Sequence, residues 1–71
     1  MAFPETDMEM VCRHVEQGER HIREQRQRIA RLREIGVDIE LAEELLQMML
    51  ALQVEHRLHL DRLLSTGHTR I

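Results

Sequence analysis

Histidine is the residue type in this chain best suited to chemistry, because five of its 71 residues are histidines. His56 and His59 stand three apart, so they share one face of a helix. An antiparallel partner helix brings His14 close to both, with Cys12 and Glu55 in the neighbourhood. Zinc binds nitrogen, sulfur and oxygen donors in such combinations, and His14, His56 and His59 are therefore candidate metal ligands.

The same histidines also fit a packing role. The sequence lacks the paired Glu-x-x-His motifs by which di-iron helical bundles combine carboxylates with imidazoles. In the packing interpretation, His56 fills the space opposite Gly18, while His14 and His59 border the contact between helices. An interface that responds to pH is a third alternative, since imidazole changes charge near neutral pH. We favour packing and predict neither a bound metal nor a cofactor.

Arginine supplies all ten basic side chains, and six of them fall between positions 20 and 33 against a single acid, Glu24. This arginine stripe consists of Arg20, Arg23, Arg26, Arg28, Arg31 and Arg33. A local excess of positive charge attracts phosphates, so the stripe is a candidate nucleic-acid contact. The chain as a whole has a formal charge of -3, and no aromatic residue accompanies the stripe to stack on bases. We favour a solvated, salt-bridged face whose charge Glu40, Glu43 and Glu44 can partly neutralise, and an acidic protein is the other candidate partner.

Catalytic motifs are absent from the sequence. There is no glycine-rich phosphate loop, and no cysteine and histidine are accompanied by a third group that would orient them. A bundle filled by leucine and methionine also leaves little room for a substrate pocket. We therefore predict that the protein is not an enzyme and has no catalytic residues.

The composition favours helices over sheets. Hydrophobic residues make up 42% of the chain and charged residues 32%, and Phe3 is the one aromatic residue. No apolar run approaches the roughly 20 residues of a membrane span, and the short acidic N-terminal segment is unlike a signal peptide. The single cysteine, Cys12, suits a reducing compartment. We expect a cytoplasmic protein with no membrane partner.

Two helices account for most of the chain. The first begins at the capping box Thr6-Asp7-Met8-Glu9, and residues spaced alternately three and four apart continue to Gly36, which ends it. Asp38 caps a second helix with the same spacing, which Ser65-Thr66-Gly67 stops. The predicted elements are helix one at about 7–35, a turn at 36–38, helix two at about 39–64 and a flexible tail at 65–71.

The linker is so short that the helices must fold back on each other, which predicts an all-α antiparallel two-helix hairpin. Residues whose numbers sum to about 74 then lie side by side, with Gly18 near His56 and Ile22 near Gln53. Gln25 and Gln53 interrupt the two hydrophobic seams. A polar residue at such a position fixes register and oligomeric state, and we prefer this role to ligand binding.

Helix two is apolar nearly all the way round between positions 45 and 52, and one partner helix cannot cover that surface. A lone hairpin also buries too little apolar area to be stable, and oligomerisation is a usual remedy. The sequence therefore predicts a homodimer in the form of a four-helix bundle with coiled-coil seams. Its predicted interface residues are Leu41, Leu45, Met48, Met49 and Leu52.

Several segments resemble short, uncharacterised bacterial proteins that form two-helix hairpins. The similarity lies in residues 13–22, with the run Gln17-Gly18-Glu19-Arg20-His21, in Gln25, and in the segments at 29–32, 36–38, 42–46 and 56–60. It covers about residues 11–64. The resemblance implies a helical hairpin and brings no known activity with it.

These observations lead to three hypotheses about function. The first is a non-enzymatic protein-protein interaction module that forms a homodimer and docks another protein on its remaining surface. The second is RNA or DNA binding through the arginine stripe. The third is metal binding by His14, His56 and His59.

Overall fold

The computed structural model describes residues 4–68, which form two antiparallel helices packed against each other. Helix α1 spans Asp7–Ile35 and helix α2 spans Glu40–His68. No strand occurs between residues 4 and 68, so the predicted all-α hairpin is confirmed. Neither helix, over the same residues, is long and apolar enough to cross a membrane.

The N-terminus of α1 is fixed by the capping box. The Glu9 amide donates to Thr6 Oγ1 at 3.1 Å, and the Thr6 amide donates to Glu9 Oε1 at 3.3 Å. Glu5 lies just before the helix, and its two carboxylate oxygens accept hydrogen bonds from Arg13 Nε and Nη2 at 2.8 and 2.9 Å. This hydrogen-bonded pair lowers the pKa of Glu5 from its ordinary value. It also ties the segment before the helix to the second turn of α1.

The reversal between the helices depends on Gly36, whose φ of 87° lies in the left-handed region that favours glycine. Its amide donates to the carbonyls of Leu32 and Arg33. Asp38 Oδ1 then accepts the Glu40 amide at 2.9 Å, which caps α2. As a result α2 begins at Glu40, one residue later than predicted.

The predicted end of helix two at residue 64 is wrong, because α2 continues to His68. Thr66 does not stop the helix, since its Oγ1 donates to the Arg62 carbonyl one turn earlier at 2.9 Å, a bond that a helical threonine can make. Residues 65–68 are therefore helical rather than part of a flexible tail. The remainder of the predicted tail, 69–71, lies outside the described residues.

The contact between the helices forms a small core. Among the described residues, the buried hydrophobic side chains are Val11, Val15, Ile22 and Ile29. Two glutamines are buried with them, Gln25 at 1% and Gln53 at 6% exposure. The structure measures 56 × 32 × 13 Å, which is the thickness of one layer of helices. Within the described part of the chain, both faces of that layer are consequently open.

Candidate functional site

An extended apolar surface lies on α2, and within residues 4–68 no other part of the chain covers it. Leu41, Leu45, Met48 and Leu52, which we call the apolar row, are 80%, 42%, 68% and 57% exposed. A shallow cavity of 580 Å³ along the row is lined by Leu45, Met48, Met49, Ala51, Leu52 and Glu55. Met49, the fifth predicted interface residue, is half-buried. The row is therefore an open surface into which a second set of side chains can pack.

The position of the apolar row around α2 matches what a four-helix bundle needs. Each residue turns a helix by about 100°, which places the row about 100° from Leu46, Met49 and Gln53, the side that faces α1. In a four-helix bundle, each helix contacts two neighbours roughly a quarter turn apart. One of these neighbours, α1, is present, and the row faces the position of the other.

A second apolar edge lies on the other side of α2. Val54 and Leu58 are 56% and 46% exposed. Arg57 of α2 pairs there with Glu19 of α1, so part of this edge is crossed by an ion pair. This edge is therefore less continuous than the apolar row.

The two buried glutamines join the helices through side-chain to backbone hydrogen bonds. Gln25 Nε2 donates to the Ala42 carbonyl at 2.8 Å, and its Oε1 accepts Arg28 Nη1 at 2.6 Å. Gln53 Nε2 donates to the Val15 carbonyl at 2.9 Å. Since each bond requires one particular carbonyl of the opposite helix, the pair opposes sliding of α1 along α2. This arrangement supports the register role predicted for both residues.

The observed register differs from the prediction near Gly18. A Cβ on Gly18 would overlap Oε1 of Gln53, so Gln53, rather than His56, fills the space opposite the glycine. The prediction that His56 fills the space opposite Gly18 is therefore wrong, although both residues line the same cavity. Gln53 takes this place because a buried amide needs a hydrogen-bond acceptor. Since Gly18 has no side chain, Gln53 has room to reach the Val15 carbonyl.

We expect Gly18→Ala to lower the free energy of unfolding by about 1–2 kcal/mol. The new methyl group displaces the Gln53 amide and leaves it buried without its bond, a loss larger than the gain of about 1 kcal/mol from alanine in a helix. In a Gln53→Ala background, only the helix gain remains, so Gly18→Ala should stabilise. Urea unfolding of the four variants measures this, and destabilisation of equal size in both backgrounds would contradict the contact.

Two of the predicted metal-ligand candidates meet in the structure. The ring centroids of His14 and His56 are 5.2 Å apart, with the planes inclined at 35°. His56 Nδ1 is buried and has no hydrogen-bond partner. Beside the pair lies a cavity of 290 Å³, lined by His14, Gln17, Gly18, His21, Met49, Leu52, Gln53 and His56. The residues that the cavity assembles are therefore two paired imidazoles, a third histidine and two side-chain amides.

The third predicted ligand, His59, is half-buried and does not line this cavity. Over the part of the chain that the structure describes, no three or more His, Cys, Asp or Glu side chains are grouped so that they could hold a metal ion. The predicted convergence of three imidazoles is therefore wrong, because the observed register pairs His14 with His56. His21, which lines the cavity, was not among the predicted ligands, although it stands seven residues after His14 on the same helix face.

All six residues of the arginine stripe are exposed. Arg28 donates to Gln25, and no member of the stripe forms an ion pair with any carboxylate in residues 4–66. Glu43 lines a groove with Arg26 and Arg33 without pairing. The predicted salt bridges of this face are therefore absent among the described residues, and the guanidinium groups are open to solvent beside Glu43.

Comparison of the chain with protein-family models, curated proteins and solved structures gave no match. The resemblance to two-helix bacterial proteins stays a prediction.

Proposed function

We propose that the protein is a non-enzymatic interaction module that works as a homodimer, in which the apolar row of each chain packs against the other chain to form a four-helix bundle. The observation that carries this proposal is the exposure of the row beside a core of very few residues. Its single cysteine, which is free, supports a location in the cytoplasm.

The exposed area of the chain supports an obligate partner. The chain exposes 6008 Å², whereas a compact monomer of 8.5 kDa exposes about 4,650 Å². The excess of about 1,350 Å² exceeds the roughly 800 Å² that each partner buries in a standard interface. Covering one face of the hairpin would therefore bring the chain to the exposure of an ordinary folded protein.

The thickness of the structure leads to the same conclusion. Stable domains have two or more layers of secondary structure around a core, but this hairpin is a single layer 13 Å thick. Folding alone would order about 65 described residues around four buried hydrophobic side chains. A second layer supplies the missing core, and two copies of one hairpin provide two layers.

A second copy of the chain is favoured over an unrelated protein as the occupant of the apolar row. The apolar row must be buried whenever the chain folds, and another copy of the chain is present wherever the chain is made. The row is also suited to two-fold symmetry, in which one patch contacts itself. An axis between Leu45 and Met48 places Leu41 opposite Leu52 of an antiparallel second copy, so apolar side chains meet along the whole row. The opposite edge of each hairpin then remains open for another protein.

Thermal unfolding at several protein concentrations tests the proposal. If folding requires association, the melting temperature rises with concentration, because mass action favours the folded dimer. A monomeric hairpin melts at one temperature at all concentrations. A melting temperature unchanged over a 100-fold concentration range, with full helicity retained, would therefore reject the dimer.

Nucleic-acid binding is the second candidate function, and the unpaired arginine stripe is the observation that favours it. Six exposed guanidinium groups lie within 14 residues of one helix and make no ion pair with a described carboxylate. Arginine binds phosphate through two parallel hydrogen bonds. A dimer would present two stripes. RNA or DNA duplexes, whose phosphates are regularly spaced, are the ligands that this arrangement favours.

If the stripe binds nucleic acid, Arg23→Glu weakens binding to a labelled RNA duplex by about tenfold, and adding Arg31→Glu abolishes it. Arg62→Glu is the control, because it changes the charge equally but lies on α2 outside the stripe. Fluorescence anisotropy at several salt concentrations makes the measurement. Equal losses for Arg23→Glu and Arg62→Glu, or no binding by the parent chain at low salt, would exclude this function.

A further inference from the structure

The apolar row adjoins a second hollow on the same face of the hairpin. Met49 and Leu52 line both the shallow cavity of 580 Å³ along the row and the cavity of 290 Å³ beside His14 and His56, which we call the histidine cavity. At the other end of the row, Leu41 is 80% exposed, the highest value among the exposed large hydrophobic side chains of the described residues. One surface of the chain therefore carries both a protruding leucine and a hollow.

Two-fold symmetry brings the leucine of one copy to the hollow of the other when the two α2 helices run antiparallel. In a parallel pair each residue meets its own equivalent, so Leu41 faces Leu41 and both histidine cavities stay unfilled. In the antiparallel pair with its axis between Leu45 and Met48, Leu41 lies opposite Leu52, at the edge of the histidine cavity. The symmetry makes this contact twice, once in each chain.

The charges along α2 also favour the antiparallel arrangement. Its beginning is acidic, with Asp38, Glu40, Glu43 and Glu44, and no arginine or lysine occurs from there to Arg57. A parallel pair would place the two acidic ends side by side, where like charges repel. In the antiparallel pair, Glu40 of one copy lies about 20 Å along the bundle from Glu40 of the other, which is beyond the range of about 8 Å over which exposed charges interact in physiological salt.

We infer that Leu41 of a second copy fills the histidine cavity, and that the two hairpins therefore pack with their α2 helices antiparallel. This inference rests on the proposed homodimer and adds its orientation and its central contact. The histidine cavity is then a docking site that is complete only when the second copy contributes Leu41.

Cysteine cross-linking of the full chain tests the orientation. In a Cys12→Ala background, a short bismaleimide should join the chains of the double variant Leu41→Cys with Leu52→Cys, because the two positions face each other. Either cysteine alone should give no cross-link, since it lies about 16 Å along the bundle from its equivalent. Leu41→Cys with Val54→Cys is the matched control, because Val54 is 56% exposed against 57% for Leu52 but lies on the opposite edge of α2. This control pair should not react.

Nuclear Overhauser effects between isotope-labelled and unlabelled copies locate Leu41 independently. Its methyl groups should contact Met49 and at least one imidazole of the histidine cavity in the other copy. Cross-linking of either single-cysteine variant would overturn the inference, as would a dimer in which the Leu41 and Leu52 pair reacts no faster than the control pair or Leu41 does not contact the cavity. Light scattering distinguishes these results from failure of the proposed function, because a monomer would reject the dimer itself.

Discussion

Leu52→Glu should convert the proposed homodimer into monomers at concentrations where we expect the parent chain to be dimeric. Leu52 is 57% exposed in the single hairpin, and the proposed bundle buries it once in each chain. Burial of a fully exposed leucine contributes about 1.5–3 kcal/mol, so burial of the exposed part of Leu52 at two sites contributes about 2–3 kcal/mol. Burial of an unpaired carboxylate in its place costs more still. The dissociation constant should rise at least 100-fold. Because the isolated hairpin lacks a second layer, helicity should fall along with the mass.

Val54→Glu is the matched control for this prediction. Val54 is 56% exposed, which is nearly the value of Leu52, and it lies two residues further along α2 on the opposite edge. The variant replaces an apolar side chain with the same charge but should leave the mass and the helical signal unchanged. Sedimentation velocity of both variants distinguishes the faces. Dissociation by Val54→Glu with an intact Leu52→Glu dimer would place the interface on the other edge of α2.

Gln53→Glu should lower the free energy of unfolding by about 3–5 kcal/mol at neutral pH. The side chain is 6% exposed, and its amide donates to the Val15 carbonyl at 2.9 Å. A carboxylate at this position cannot donate, and it brings a buried negative charge up to a carbonyl oxygen. The same space near Gly18 that accepts the amide leaves little room for the carboxylate to turn away.

The loss should be relieved at acid pH. A protonated glutamic acid can donate to the Val15 carbonyl as the amide does, so the folded chain binds this proton more tightly than the unfolded chain. The folded pKa of the introduced group then lies above its unfolded value of about 4.3, and stability relative to the parent falls as pH rises between the two values. Urea unfolding of both chains over this pH range, at one protein concentration, gives the difference.

Gln53→Leu is the control for charge. It removes both the amide and the unpartnered Oε1 while keeping a similar volume, so its stability should stay within about 1 kcal/mol of the parent at every pH. A loss in Gln53→Glu that is independent of pH, or an equal loss in Gln53→Leu, would show that shape rather than charge matters at this position.

Much of the fold could be predicted because its determinants are local. The capping box at Thr6 and the left-handed glycine at Gly36 act within a few residues, and α1 therefore begins and ends at the predicted positions. The end of α2 was harder to predict from the sequence. Residues such as Thr66 have weak preferences against a helix, and the local bond to Arg62 is enough to keep the helix intact.

Prediction of the candidate sites was less complete, because these sites depend on contacts between the helices. Seven-residue periodicity identifies which residues of α2 face away from α1, so the exposure of Leu41, Leu45, Met48 and Leu52 could be predicted. The pairing of His14 with His56 could not be predicted, because it depends on the register between the helices, and that register includes the close contact of Gln53 with Gly18. Heptad spacing is compatible with several registers that differ by about one turn. Specific side-chain to backbone bonds select among them.

The most direct test of the homodimer is the molar mass of the chain in solution, measured by light scattering during size-exclusion chromatography under reducing conditions. One chain has a mass of 8.5 kDa. We predict twice that mass across micromolar concentrations, with no absorbance excess at 260 nm unless the arginine stripe has retained nucleic acid. A fully helical species with the mass of one chain at all concentrations would contradict the account, because the apolar row would then stay exposed without a second copy.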